Sequence, residues 1–150
     1  KMIDKKNAAY YIVSQLAGGI IGAVILKLLF SPVTAATALG APQIRGIAVK
    51  TGFWMEFIIT FLLVLVIMYI TKTQDDEVKK RAPLFIGAVI LLDIMFAGPF
   101  TGGAINPVRA FAPALIANFW DNHLLYWIAP ILGAITGVYA SNLWWKEKNL

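Results

Sequence analysis

The stretch Thr101-Gly102-Gly103-Ala104-Ile105-Asn106-Pro107-Val108-Arg109-Ala110-Phe111-Ala112-Pro113-Ala114 is where residue types and spacing in this 150-residue chain point to chemistry. Asn106 is a favoured helix cap, and Pro107 suits the first helical position, where its missing N–H costs nothing. Gly102 and Gly103, leading into Ala104, permit an extended or positive-φ approach in which carbonyls face a passage. Pro113 disfavours continuation, so the helix from Pro107 is expected to run two or three turns, roughly 10–15 Å at 1.5 Å per residue. That is about half a bilayer. A half-helix beginning at mid-membrane sets its N-terminal partial positive charge there, a field that repels cations, protons included. The Asn106 amide donates a hydrogen bond to a passing water or hydroxyl. Arg109 would cost roughly 2.5–3.5 kcal/mol at a lipid-facing helix centre, so it is expected to face water and act as a second barrier to cations. Asn-Pro alone would read as an ordinary surface cap; the apolar setting and the arginine give it this meaning. The chemistry is selective passage rather than catalysis: no nucleophile and base sit at a common depth, so no enzyme is expected. With one histidine and no cysteine, no metal site and no cofactor are expected.

Such residues need elements that hold them in a bilayer. The chain is 59% hydrophobic and 14% charged, too apolar for an ordinary soluble domain. Four stretches approach or reach the roughly 20 apolar residues that span a membrane: 8–30, 52–70, 83–98 and 124–145. Residues 98–120 begin and end on one side of the membrane yet are largely apolar, as expected of a segment that dips in and returns. The net charge of +5 is not concentrated with interleaved aromatics, so nucleic acid is not an expected partner. Lys1, Lys5 and Lys6, then Lys72, Lys79, Lys80 and Arg81, then Lys146 and Lys148 lie in alternate connections. The positive-inside rule places those segments, the 71–81 connection and the C-terminus among them, in the cytoplasm. The expectation is an all-α membrane protein, with four transmembrane helices and one re-entrant half-helix forming a single channel domain over 1–150. Residues 31–51 read as an external loop and 71–81 as a short charged turn.

Thr101 through Ala114 resembles the second signature of the aquaporin, or major intrinsic protein, family, usually Asn-Pro-Ala-Arg, with Val108 in place of Ala. Residues 11–22 resemble the family's third span, with Gln15 at its recurrent Gln. Glu56 and Thr60 match the Glu-x-x-x-Thr of the fourth, and Tyr126-Trp127-Ile128-Ala129-Pro130 with Gly133 resembles the start of the sixth. The resemblance implies an aquaporin-like helical bundle that is incomplete at the N-terminus, its first two spans and first half-helix absent. It implies that Val108 adds bulk where two half-helices meet. It also implies a constriction built by Arg109, Gly103 and Ile94, with Ile94 an apolar wall where strict water channels place His.

Ala110, Ala114 and Tyr126-Trp127 are aquaporin-like where glycerol facilitators differ, so water is the first expected solute, with glycerol and dissolved gases beside it. Glu56 is implied to accept hydrogen bonds from the nearer re-entrant loop, in this chain or in the absent part, with Thr60 and Gln15 as further structural support. Asp93 has no assigned partner. The lipid bilayer, a homotetramer with one pore per subunit and a plasma-membrane location are implied too. A pore-less assembly subunit, and a proton-coupled transporter using Glu56 and Asp93, are the alternatives. His123, beside Asp121, reads as interfacial rather than as a pH sensor. Gly18, Gly19 and Gly22 and the Gly133-x-x-x-Gly137 pair read as close helix contacts.

Overall fold

The computed structural model describes residues 3–30 and 36–148, which form helices joined by short connections, with no strand among them. Helix α1 spans Lys5–Leu29, α2 Val49–Lys72, α3 Asp76–Lys80, α4 Ala82–Thr101, α5 Pro107–Ala117 and α6 Leu125–Lys148, and a 3-10 turn covers Ala38–Gly40. Asp4 caps α1 through a hydrogen bond from the Asn7 N–H at 2.8 Å, satisfying a donor that the first turn leaves free. The charged turn expected at 71–81 holds a helix of its own. Asp75 caps α3 by accepting from the Glu77 and Val78 N–H groups, and Lys80 pairs with Glu77 at 2.8 Å.

Helices α1, α2 and α4 are long and apolar enough to cross a membrane. The fourth expected span, α6, has 24 residues, but Thr136, Ser141 and Asn142 dilute its apolar character. It lies along α2, and that pair is the most extensive contact in the molecule. Gly133 and Gly137 are the reason. A Cβ at Gly133 would run into the Phe57 carbonyl, and one at Gly137 would lie 3.0 Å from the Phe61 carbonyl. Backbone therefore meets backbone, as small residues permit between membrane helices. Helix α4 packs on another flank of α2, with Asp93, Ala97 and Thr101 buried at four-residue spacing.

Helix α1 stands apart from this sheaf, touching α5 and the 3-10 turn. Of its three candidate packing glycines, Gly19 is in close contact: a Cβ there would lie 2.8 Å from Val108 Cγ1 and 3.2 Å from Ala112 Cβ. Gly18 and Gly22 face open space, because α1 meets α5 along the Gly19 face and leaves a groove beside it. Ile12, Leu28, Leu91, Leu92 and Met95 are exposed, the expected surface for a helix whose solvent is lipid.

Candidate functional site

The loop between α4 and α5 is held from behind by one carboxylate. Glu56, wholly buried in α2, accepts from the Thr101 hydroxyl at 2.6 Å and the Ala104 N–H at 2.9 Å through Oε1. Its Oε2 accepts from the Ile105 N–H at 2.9 Å. The Thr101 hydroxyl in turn accepts from the Gly103 N–H at 3.1 Å. Each donor left without a partner in this buried place would cost roughly 1–3 kcal/mol. The nearer re-entrant loop is thus the one in this chain, not one outside it.

Three successive N–H groups, of Gly103, Ala104 and Ile105, face this anchor. Because the peptides of this loop are trans, the carbonyls of Gly102, Gly103 and Ala104 point the opposite way. Such a backbone needs unusual dihedrals. Gly102 and Gly103 have φ of 85° and 53°, and Ile105, a β-branched residue, has φ of 58°. A left-handed isoleucine costs on the order of 1–3 kcal/mol and persists only where its surroundings over-determine it. The bond from its own N–H to Glu56 does so. Gly102 is required twice over, since a Cβ there would also lie 2.9 Å from Pro42.

The loop delivers the chain into α5. Asn106 caps it with Oδ1, which accepts from the Val108 N–H at 2.9 Å, so the amide nitrogen keeps its donors for the groove that Asn106 lines. Pro113 does not itself end α5: the helix runs on to Ala117, within the expected two or three turns, and stops at Asn118, a left-handed cap. Proline removes one donor, for the Arg109 carbonyl, and both residues lie on the face that lines the groove. Irregular backbone is tolerated in a membrane where it borders a cavity. The 11 residues make a rod of roughly 16 Å. Lys27 Nζ lies 3.4 Å from the Ile116 carbonyl, where a cation offsets the negative end of the helix.

The groove, about 790 Å³, is lined by Gln15, Gly18, Gly22, Asn106, Val108 and Arg109, among others. Arg109 Nη1 donates to the Gly40 carbonyl at 2.7 Å, and the Arg45 N–H donates to the Phe100 carbonyl at 2.8 Å. The 36–48 segment therefore braces both the arginine and the loop. One methyl of Val108 is received by Gly19 of α1.

Of the residues singled out from sequence, Glu56, Gly103 and Ala104 come together at the anchor, and Gln15, Asn106, Val108 and Arg109 come together at the groove. Ile94 is half-exposed and lies beside Gly103 on α4, but it does not line the groove. Thr60 donates to the Glu56 backbone carbonyl at 2.8 Å, a bond within its own helix, and does not reach the loop. Asp93 is buried with one oxygen lacking a hydrogen-bond partner among the described residues.

Sequence reasoning missed two supports. Thr101 bridges Glu56 to the loop, and Tyr126, fully buried rather than interfacial, donates to the Thr101 carbonyl at 2.9 Å. The signal for Thr101 was a hydroxyl placed just before two glycines. At the rim beyond α5, Phe111 packs in an aromatic cluster with Trp120, His123 and Trp127. Trp127 Nε1 donates to His123 Nε2 at 2.9 Å, which requires that nitrogen unprotonated. Burial pushes the His123 imidazole below its ordinary range, in keeping with that bond.

Residues 1–140 match the family model described as major intrinsic protein. The chain is 36% identical to aquaporin-4 of Homo sapiens over 136 residues, covering 90% of this chain and 42% of that protein. It is 30% identical to aquaporin C of Dictyostelium discoideum, over 93% of this chain and 50% of the relative. With probable aquaporin TIP3-2 of Arabidopsis thaliana it shares 38% identity, over 85% and 47% respectively. The chain thus spans half or less of the length of these relatives.

Proposed function

Because this chain belongs to the major intrinsic protein family, we propose that it forms one wall of a passive transmembrane path for water. The observation that carries this reading is Glu56 holding three donors of the re-entrant loop, which turns acceptor carbonyls the other way and aims the start of α5 at the groove. Water needs acceptors and donors at successive depths. The Gly102 and Gly103 carbonyls supply the first, and the Asn106 amide and Arg109 guanidinium supply the second. Cations meet the positive end of α5 and then Arg109, and leave their hydration shells for no counter-charge. An uncharged solute is not opposed in this way.

Glycerol and dissolved gases are further solutes on this reading, which takes the apolar Ile94 to border the path at the Gly103 loop, outside the groove itself. Residues 1–150 act as one channel unit, assembled as a homotetramer in the plasma membrane with the 71–81 connection cytoplasmic. A proton-coupled carrier would need a free carboxylate. Glu56 has both oxygens engaged, which leaves Asp93 as that reading's support.

The test is osmotic. Reconstituted in liposomes and stepped into sucrose, the protein should speed shrinkage well beyond bare lipid, with a low activation energy. Re-swelling in glycerol would extend the path to that solute. Shrinkage at the bare-lipid rate, from protein with its helical content intact, would overturn the proposal.

A further inference from the structure

Where Gly133 and Gly137 hold α2 and α6 in backbone contact, there is no room between them; toward Lys72 the seam opens. A cavity of about 400 Å³ lies there, lined by Leu65, Val66, Tyr69, Lys72, Ser141 and Trp144, among others. Its walls are apolar except at one end. The Tyr69 ring packs against Trp144 and Trp145, with centroids 6.0 and 6.4 Å away, at the depth where amphipathic rings meet headgroups.

The polar end is Lys72, the last residue of a membrane-spanning helix. Its Nζ donates to Ser141 Oγ at 3.0 Å and to Asn142 Oδ1 at 2.7 Å. Both partners are neutral. The acidic groups nearby in sequence are engaged elsewhere: Asp75 caps α3 by accepting from the Glu77 and Val78 N–H groups, Asp76 faces Lys79, and Glu77 faces Lys80 and Arg81. An ammonium has three donors, so Lys72 is held in place by two and presents a third, with no acidic partner among the described residues, at the rim of an apolar cleft.

We propose that this cleft seats one anionic phospholipid, an acyl chain lying along Leu65, Val66 and Tyr69 and its phosphate accepting from Lys72 Nζ. Apolar walls and a fixed cation at headgroup depth match the two parts of such a molecule. A zwitterionic lipid fits less well, since its amine or choline brings a second cation to the rim. The site lies away from the groove and depends on the chain residing in a bilayer with this cleft open to lipid.

Trp144 and Trp145 report on the cleft directly. With Trp54, Trp120 and Trp127 replaced by Phe, the protein is reconstituted in vesicles of dibrominated phosphatidylglycerol diluted into unbrominated phosphatidylcholine. The reciprocal mixture carries the bromines on phosphatidylcholine at the same dilution. Quenching by the brominated anionic lipid should correspond to about fivefold enrichment over its bulk fraction, the size that one lysine near an anionic membrane surface confers. Quenching in the reciprocal mixture should fall below its bulk fraction. Lys72→Gln should bring both to the bulk value, and Lys72→Arg should restore the difference. The protein with all five tryptophans gives the same comparison at lower contrast and needs no substitution to fold. Equal quenching in the two mixtures would overturn the proposal. So would quenching below bulk in both, which would mean that a second copy of the chain covers the cleft.

Discussion

The α2–α6 seam and the α1–α5 groove solve opposite problems with the same residue. At the seam, Gly133 and Gly137 remove side chains so that two backbones touch. At the groove, Gly18 and Gly22 remove side chains and nothing takes their place, while Gly19 alone makes contact with α5. A glycine in a membrane helix thus marks either a weld or a void, and the partner helix decides which. The weld carries the fold. The void, bordered by Asn106 and Arg109, is where the candidate chemistry resides.

The largest expected effect comes from severing the void from the scaffold. Glu56→Ala strands three donors, at roughly 1–3 kcal/mol each, and should abolish water flux while lowering thermal stability in detergent. Glu56→Gln keeps one acceptor and should lie between Ala and the parent. Next comes the weld itself. Gly133→Leu drives a side chain into the Phe57 carbonyl, and overpacking that cannot relax costs roughly 3 kcal/mol or more. It should cut the yield of folded protein, read as helical content and monodispersity. If Gly133→Leu instead folds normally and loses flux, the division between weld and void fails.

Arg109→Val acts within the void alone. Thermal stability should fall by no more than roughly 1.5–3 kcal/mol, the worth of a charge-assisted bond such as the one to Gly40, while larger solutes or cations gain entry. Unchanged selectivity in a liposome flux assay would remove Arg109 from the barrier.

The smallest effect belongs to the rim. His123 has its folded-state pKa lowered by burial. Below the ordinary value near 6.5, the unfolded chain therefore takes up a proton that the folded chain resists. The stabilisation is fully present above that value and is lost as pH falls below it toward the folded pKa. A thermal melt in neutral and mildly acid buffer should show this drop, with a change in Trp fluorescence as the bond from Trp127 breaks. His123→Phe should flatten both.

The long helices were legible because apolar runs of bilayer length have few other uses, and the start of α5 because Asn106-Pro107 is a local signal. Its length of two to three turns was legible as well, but the residue that stops it was not: Pro113 is absorbed because the carbonyl it orphans borders a groove, and Asn118 ends the helix. The role of Glu56 was readable in kind, but the identity of its loop was not, since its partners lie 45 to 49 residues away. Thr60 shows the same limit from the other side. A matching pattern placed it beside Glu56, yet it bonds to its own helix. The brace of Arg109 by Gly40 left no trace in residue type, because the partner is a backbone carbonyl.

That separation along the chain bears on how the protein is made. A ribosome releases Glu56 first and its three donors 45 to 49 residues later, so α2 must enter the bilayer before its carboxylate has anything to hold. A charged group inside a span opposes insertion, by up to roughly 2.5–3.5 kcal/mol at the centre and less at the position of Glu56 in the first third of α2, and each Leu, Ile, Phe or Val favours it by roughly 0.3–0.6. The most apolar of the three candidate spans is α2, and its run Phe61-Leu62-Leu63-Val64-Leu65-Val66-Ile67 carries Glu56 across until the later loop arrives to claim it.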